Sequence, residues 1–209
     1  MVDMNQKALK EIIYQVMSDL ELENIPIGIS NRHVHLCEEH FRALFPGETI
    51  RPMKPLKQPG EFAAEQTVTI CGPKGQQERV RLLGPLRKKS QVEISATDAR
   101  NLGIVAPIRL SGNLTDAAEV TLKTAGREVT FKGCIIAKRH IHMSFNDLEK
   151  YQLKATDLVK VRVATPERTT LFEEVALRPG ENFVLEMHVD TDEANAANIQ
   201  LGTIASIVK

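Results

Sequence analysis

Ser30-Asn31-Arg32-His33-Val34-His35-Leu36 returns later in the chain in altered form, as Ala137-Lys138-Arg139-His140-Ile141-His142-Met143. Each His-x-His is preceded by arginine, and Ile29-Ser30-Asn31-Arg32 aligns at the same offset with Ile136-Ala137-Lys138-Arg139. In an extended strand successive side chains alternate faces, so the two histidines of a pair point one way while Val34 or Ile141 points into a core. A short helical pattern follows each pair, over residues 38–44 and 145–151, with Cys37 and Ser144 at N-cap-like positions. The repeated unit is therefore strand, His-x-His, helix.

Outward from these pairs the texture is short and β-branched. Strands are expected over residues 25–30, 67–71, 79–83, 91–95, 106–110, 120–122 and 128–131 in the first part. In the second they fall at 133–137, 158–164, 169–177, 182–189 and 203–208. Turn signals such as Gly72-Pro73-Lys74-Gly75, Gly84-Pro85 and Pro179-Gly180 separate many of them. So many short strands predict a mainly β protein of two small antiparallel β-barrel domains with short capping helices. With only 4% aromatics, Val, Ile and Leu must fill the barrels. Residues 53–62, with Pro55, Pro59 and Gly60 around Lys54 and Lys57, read as a rigid, positively charged loop.

Residues 1–20 read as an amphipathic N-terminal helix, with Leu9, Ile12, Ile13, Val16, Met17 and Leu20 forming one apolar stripe. The stripe serves either docking on its own domain or a partner surface. Charges balance at 27 basic and 27 acidic residues, which argues against nucleic acid or an anionic membrane as partner. Three cysteines without a Cys-x-x-Cys spacing, and no secretory apolar run, point to a reducing cytoplasm. No apolar run approaches the roughly 18 residues of a membrane span.

The chemistry lies in the imidazoles. Neutral histidine suits zinc and its neighbours, and a catalytic zinc typically keeps about three protein ligands with one open position. Two histidines per strand leave each site one ligand short. His188 shares a face with Glu186 and Asp190 in the alternating Leu185-Glu186-Met187-His188-Val189, and completes a three-His site with His140 and His142. Glu93, projecting opposite to Val92 and Ile94, is the carboxylate best placed to join His33 and His35. His40 reads as a surface residue, and Cys37 as an N-cap or packing residue. Lys54, Arg81 and Arg87 stand in ordered places, and a phosphate-bearing ligand would use both guanidinium and ammonium groups. Nothing resembling a Walker A loop or a Gly-x-Gly-x-x-Gly turn after a strand is present, so nucleotide hydrolysis and hydride transfer have no support.

These residues also carry a resemblance. The runs around both His pairs, together with Gln58-Pro59-Gly60-Glu61-Phe62-Ala63-Ala64-Glu65, Gln91-Val92-Glu93-Ile94-Ser95 and Leu185-Glu186-Met187-His188-Val189-Asp190-Thr191-Asp192-Glu193-Ala194-Asn195, closely resemble the PduL-type phosphotransacylases of the phosphate propanoyltransferase family, which are associated with bacterial microcompartments. The resemblance implies exchange of acyl-CoA and phosphate with acyl phosphate and CoA at a dinuclear zinc site between two barrels. It also implies interleaved domains: residues 21–31 with 138–209 in one barrel and residues 32–137 in the other. Carried across, it places zinc on His33, His35 and Glu93 and on His140, His142 and His188, phosphate on Arg87, and CoA on Ser30, Lys54, Arg81, Leu83, His188 and Asn195. A homodimer, and a microcompartment lumen reached through residues 1–20 as an encapsulation peptide contacting shell or core proteins, belong to the same implication. This sequence departs from the family's pattern at Asn31 and Cys37 and in the basic run Lys88-Lys89-Ser90. Two rivals remain on the residues alone: a dinuclear zinc hydrolase that activates water, and a nonenzymatic metal-binding scaffold.

Overall fold

Val34 and Ile141, the middle residues of the two pairs, are both fully buried, as a strand with its histidines on the opposite face requires. Burying each contributes about 1.5–3 kcal/mol relative to leaving it in water. A computed structural model of the chain describes residues 24–208 together with Leu9, Ile12, Ile13 and Val16. Apart from those four positions, the amphipathic helix expected over residues 1–20 lies outside the described residues.

In chain order the elements are β1 (Ile25–Ser30), β2 (His33–His35), α1 (Glu38–Leu44), β3 (Pro52–Pro55), β4 (Phe62–Cys71), β5 (Gln76–Gly84), β6 (Gln91–Ile94) and α2 (Ala96–Leu102). They continue with β7 (Ile108–Arg109), β8 (Ala118–Thr124), β9 (Arg127–Ala137), β10 (His140–Met143), α3 (Phe145–Lys150), β11 (Leu158–Val163), β12 (Thr170–Pro179), β13 (Glu186–Asp190), α4 (Thr191–Ala196) and β14 (Ile204–Val208). The chain divides into two compact units. One holds the described residues of Met1–Gly28, His140–His188 and Ala194–Lys209, the other Ile29–Arg139 and Val189–Glu193. The boundaries fall inside β1, between β9 and β10, inside β13 and inside α4.

The first unit is built on a closed six-stranded barrel, β1-β13-β10-β12-β11-β14. Along β11, Val159, Val161 and Val163 are buried while Leu158, Lys160 and Arg162 are exposed, the two-residue period that turns one face inward. Met143, Val175 and Met187 fill the same interior.

In the second unit β4, β5, β2, β6, β9 and β8 pair in a ring that closes through β8 and β4, with β3 and β7 added at the side. Its core gathers Val34, Leu36, Phe41, Leu82, Val92 and Leu102. Gly84 at the end of β5 leaves room for the Phe62 ring, with which a Cβ there would clash.

Several sequence expectations are adjusted. The pairing is not purely antiparallel: β2 runs parallel to β5 and β10 parallel to β12, so each His-x-His strand has one parallel and one antiparallel neighbour. Residues 128–131 and 133–137 form one strand, β9. Part of the expected loop at 53–62 is instead the strand β3, whose prolines stand at its two ends on the margin of the sheet, where a missing N–H does no harm. Helices α2 and α4 were not anticipated. Ser95 and Asp98 form a capping box at the start of α2, a four-residue signal that the β-rich surroundings obscured. Ser144 caps α3 in the same manner, whereas the Cys37 side chain makes no capping bond to α1. No helix among the described residues is long and apolar enough to cross a membrane.

Candidate metal centres

The register of one antiparallel pair assembles the first group. His33 lies opposite Glu93, Val34 opposite Val92, and His35 opposite Gln91. All three potential ligands are buried, and their donor atoms lie within 4.8 Å of one another. A tetrahedral zinc with bonds near 2.0–2.1 Å would need about 3.4 Å between donors, so small rotamer adjustments suffice. The backbone carbonyl of Asn31 accepts from His33 Nδ1 at 2.9 Å, which leaves the Nε2 lone pair of that tautomer for a cation. His35 Nδ1 is buried with no hydrogen-bond partner.

Charge is tightly coupled here. Burial works against an ionised Glu93, yet the His33 ring beside it holds the carboxyl well below its ordinary range. Burial likewise opposes a charged His33, but Glu93, with its Oε1 at 3.5 Å from His33 Nε2, keeps that ring above its usual value. His35 is pushed well down by burial and by the neighbouring positive groups His33 and Arg87, so it is the neutral imidazole of the set.

Arg87 sits beside this group because its backbone N–H donates to the carbonyl of Leu36, the residue just after β2. Its guanidinium donates to Ser111 Oγ at 3.0 Å and to Glu61 Oε1 at 3.3 Å. Ser111 also accepts from Gln91 Nε2 at 2.9 Å and gives its own proton to Glu93. One hydroxyl therefore links the arginine to the carboxylate. Neither Ser111 nor Gln91 stood out in the sequence as a site residue, because long-range pairing alone brings them beside Glu93 and Arg87.

The second group repeats the frame. On β10 and β13, His140 lies opposite His188, Ile141 opposite Met187, and His142 opposite Glu186. The three rings pack edge to face, with centroids 4.7–5.2 Å apart, and their donor atoms again lie within 4.8 Å of one another. His140 Nε2 and His142 Nε2 approach to 3.0 Å, so these two nitrogens face each other within the group. The Phe183 ring covers His142 edge-on at 4.7 Å. Gly28 makes the close packing feasible: a Cβ on it would stand 3.0 Å from the Glu186 carboxyl carbon and 3.1 Å from the His188 ring.

The arginines ahead of the pairs are matched as well. Arg32 forms two bonds with Asp98 in the first turn of α2, at 2.9 and 2.8 Å, and Arg139 donates to Glu193 in the first turn of α4 at 2.7 Å. Each ties the start of a His-x-His strand to the helix that follows the third potential donor. The donor sets of both groups, imidazole nitrogens with at most one carboxylate, fit zinc better than a hard, oxygen-seeking cation.

The remaining sequence candidates are more scattered. Lys54 is exposed on β3, Ser30 and Leu83 are half-buried, and these belong with Arg81 to the second unit. His188 and Asn195 belong to the first unit, Asn195 being exposed on α4. Arg81 spends one nitrogen on the carbonyls of Ala64 and Glu65, at 3.0 and 2.8 Å, where β4 shifts register. His40 bonds Ser90 Oγ at 2.8 Å rather than standing free in solvent, and the same hydroxyl donates to Cys37 Sγ at 3.3 Å.

Comparison with known proteins places these features among relatives. The family model described as phosphate propanoyltransferase matches residues 26–200. The chain is 52% identical to a phosphate propanoyltransferase of Levilactobacillus brevis, over 99% of this chain and all of that one. It is 50% identical to one from Shewanella putrefaciens, over 95% of each chain. With one from Salmonella typhimurium it shares 48% identity over 93% of each.

Proposed function

The chain belongs to the phosphate propanoyltransferase family, and from that premise we propose that it transfers a short acyl group, propanoyl or acetyl, between CoA and phosphate using two zinc ions per chain. The observation that carries the metal requirement is the pair of three-donor groups, each with its potential donor atoms within 4.8 Å of one another. His33, His35 and Glu93 would hold one ion, and His140, His142 and His188 the other. When bound, zinc polarises a thioester carbonyl and stabilises a departing thiolate.

The residues of the chain supply the rest. Arg87 binds phosphate through its planar fork, offsets part of its charge, and aims one oxygen at the acyl carbon. Ser111, fixed by Gln91, holds that guanidinium in place before phosphate arrives. The C–O bond to phosphate forms as the C–S bond to CoA breaks, so no protein nucleophile is required. Ser30, Lys54, Arg81, Leu83, His188 and Asn195 are assigned to CoA. The resemblance also supports a homodimer, and a microcompartment lumen reached through residues 1–20.

The test is a thiol-release assay with propanoyl-CoA and acetyl-CoA, run with and without phosphate and chelator. Phosphate-dependent formation of acyl phosphate that disappears on chelation is expected. Release of free acid independent of phosphate would instead make the chain a hydrolase, and no turnover with any acyl-CoA would make it a scaffold. Isotopic labelling that trapped an acyl-enzyme would rule out direct attack. Deleting residues 1–20 should spare soluble activity and abolish co-localisation with shells.

A further inference from the structure

Opposite the second histidine of each pair stands a buried polar residue that is not itself among the three donors: Gln91 opposite His35 and Glu186 opposite His142. Each lies two positions before the third donor of its group and bonds to it. Gln91 Nε2 donates to Glu93 Oε1, and Glu186 Oε2 accepts from His188 Nε2 at 2.8 Å. We infer that Gln91 and Glu186 are equivalent positioning residues, each orienting the third metal ligand of its group, with a chemical identity set by that ligand. The inference rests on the metal-binding reading above.

The two partners are opposites for a physical reason. A carboxylate ligand accepts hydrogen bonds and is steadied by a donor, which an amide provides without adding charge. An imidazole ligand has one N–H to donate and is steadied by an acceptor, and a carboxylate there also raises its basicity toward the metal. Gln91 is itself held rigidly. Its Oε1 accepts from the Gly112 N–H at 2.8 Å, which turns Nε2 toward Glu93 and Ser111. Glu186 is confined by close packing over Gly28. Both are 9% exposed or less, so neither orientation is shared with solvent.

Zinc per chain, measured in the purified protein under graded chelator, tests this separately from turnover. Gln91→Met and Glu186→Met should each lower the zinc affinity of one group by about 10–100-fold and leave the other unchanged. Melting of the chelated, metal-free variants checks folding. A second comparison does not depend on those variants: Glu93→His alone should bind zinc weakly, whereas Glu93→His combined with Gln91→Glu recreates the pairing of the second group and should recover affinity. Methionine variants with wild-type affinity, or an exchange pair no better than Glu93→His alone, would overturn the inference while leaving the metal reading intact. A wild-type chain that takes up no zinc would overturn both.

Discussion

The two ligand groups share a frame and differ in charge. In both, a His-x-His strand meets its third potential donor across an antiparallel register, with an arginine one residue ahead of the pair and an acid five residues beyond that donor. The first group contains a carboxylate, is flanked by Arg87, and forms a coupled pair between Glu93 and His33. The second contains only imidazoles and receives its negative charge from a neighbour, Glu186. A dication would thus keep about one net positive charge among its ligands in the first group and two in the second. A common backbone register can therefore build two electrostatically distinct centres by exchanging one residue and its companion.

Breaking either centre outright should have the largest effect. His140→Ala and His33→Ala should each remove one zinc per chain, measured by elemental analysis, and lower acyl transfer by about 10³-fold or more, since a Lewis acid supplies several kcal/mol of stabilisation. Full activity with one metal missing would show that the two groups do not both take part.

The cores behind the two pairs offer a second comparison. Ile141→Ala should cost about 2–5 kcal/mol in denaturant unfolding, and Val34→Ala less, because a smaller side chain leaves a smaller cavity. Equal losses would mean that the two interiors relax to different extents.

Arg87 marks a difference in ligand handling. Arg87→Lys keeps the charge and loses the bidentate fork, so the phosphate KM should rise about 10–100-fold while zinc content stays at the wild-type level. Loss of zinc with the same substitution would show that the Ser111 link mainly supports Glu93.

The smallest effect concerns Cys134, which pairs with Val92 behind the first group and whose thiol burial pushes up to about 12. A folded pKa above the unfolded one contributes stability that is complete below about pH 9 and is lost as pH rises toward 12. The wild type should lose about 1 kcal/mol by pH 10 from this residue alone. Cys134→Ala should show a shallower decline above pH 9 in unfolding titrations, and an identical slope would disprove the burial effect.

Much of this was readable in advance because strand periodicity is local. Alternation along the His pairs and along Leu185-Glu186-Met187-His188-Val189 placed the histidines on one face without knowledge of neighbours. The capped pattern after each pair gave α1 to the residue and α3 to within one. The β3 strand was hidden because prolines at an edge resemble a loop, and α2 because its capping box is brief and set among strands.

Alternation along the chain thus dictated which residues could act as ligands, and composition dictated a β-rich interior of aliphatic side chains. Pairing register could not be read in the same manner, since a slip of one residue would leave each local pattern unchanged while turning a whole strand face. Long-range pairing alone set Glu93 opposite His33 and His188 opposite His140, brought the distant Ser111 hydroxyl onto Arg87, and made Gln91 and Glu186 counterparts.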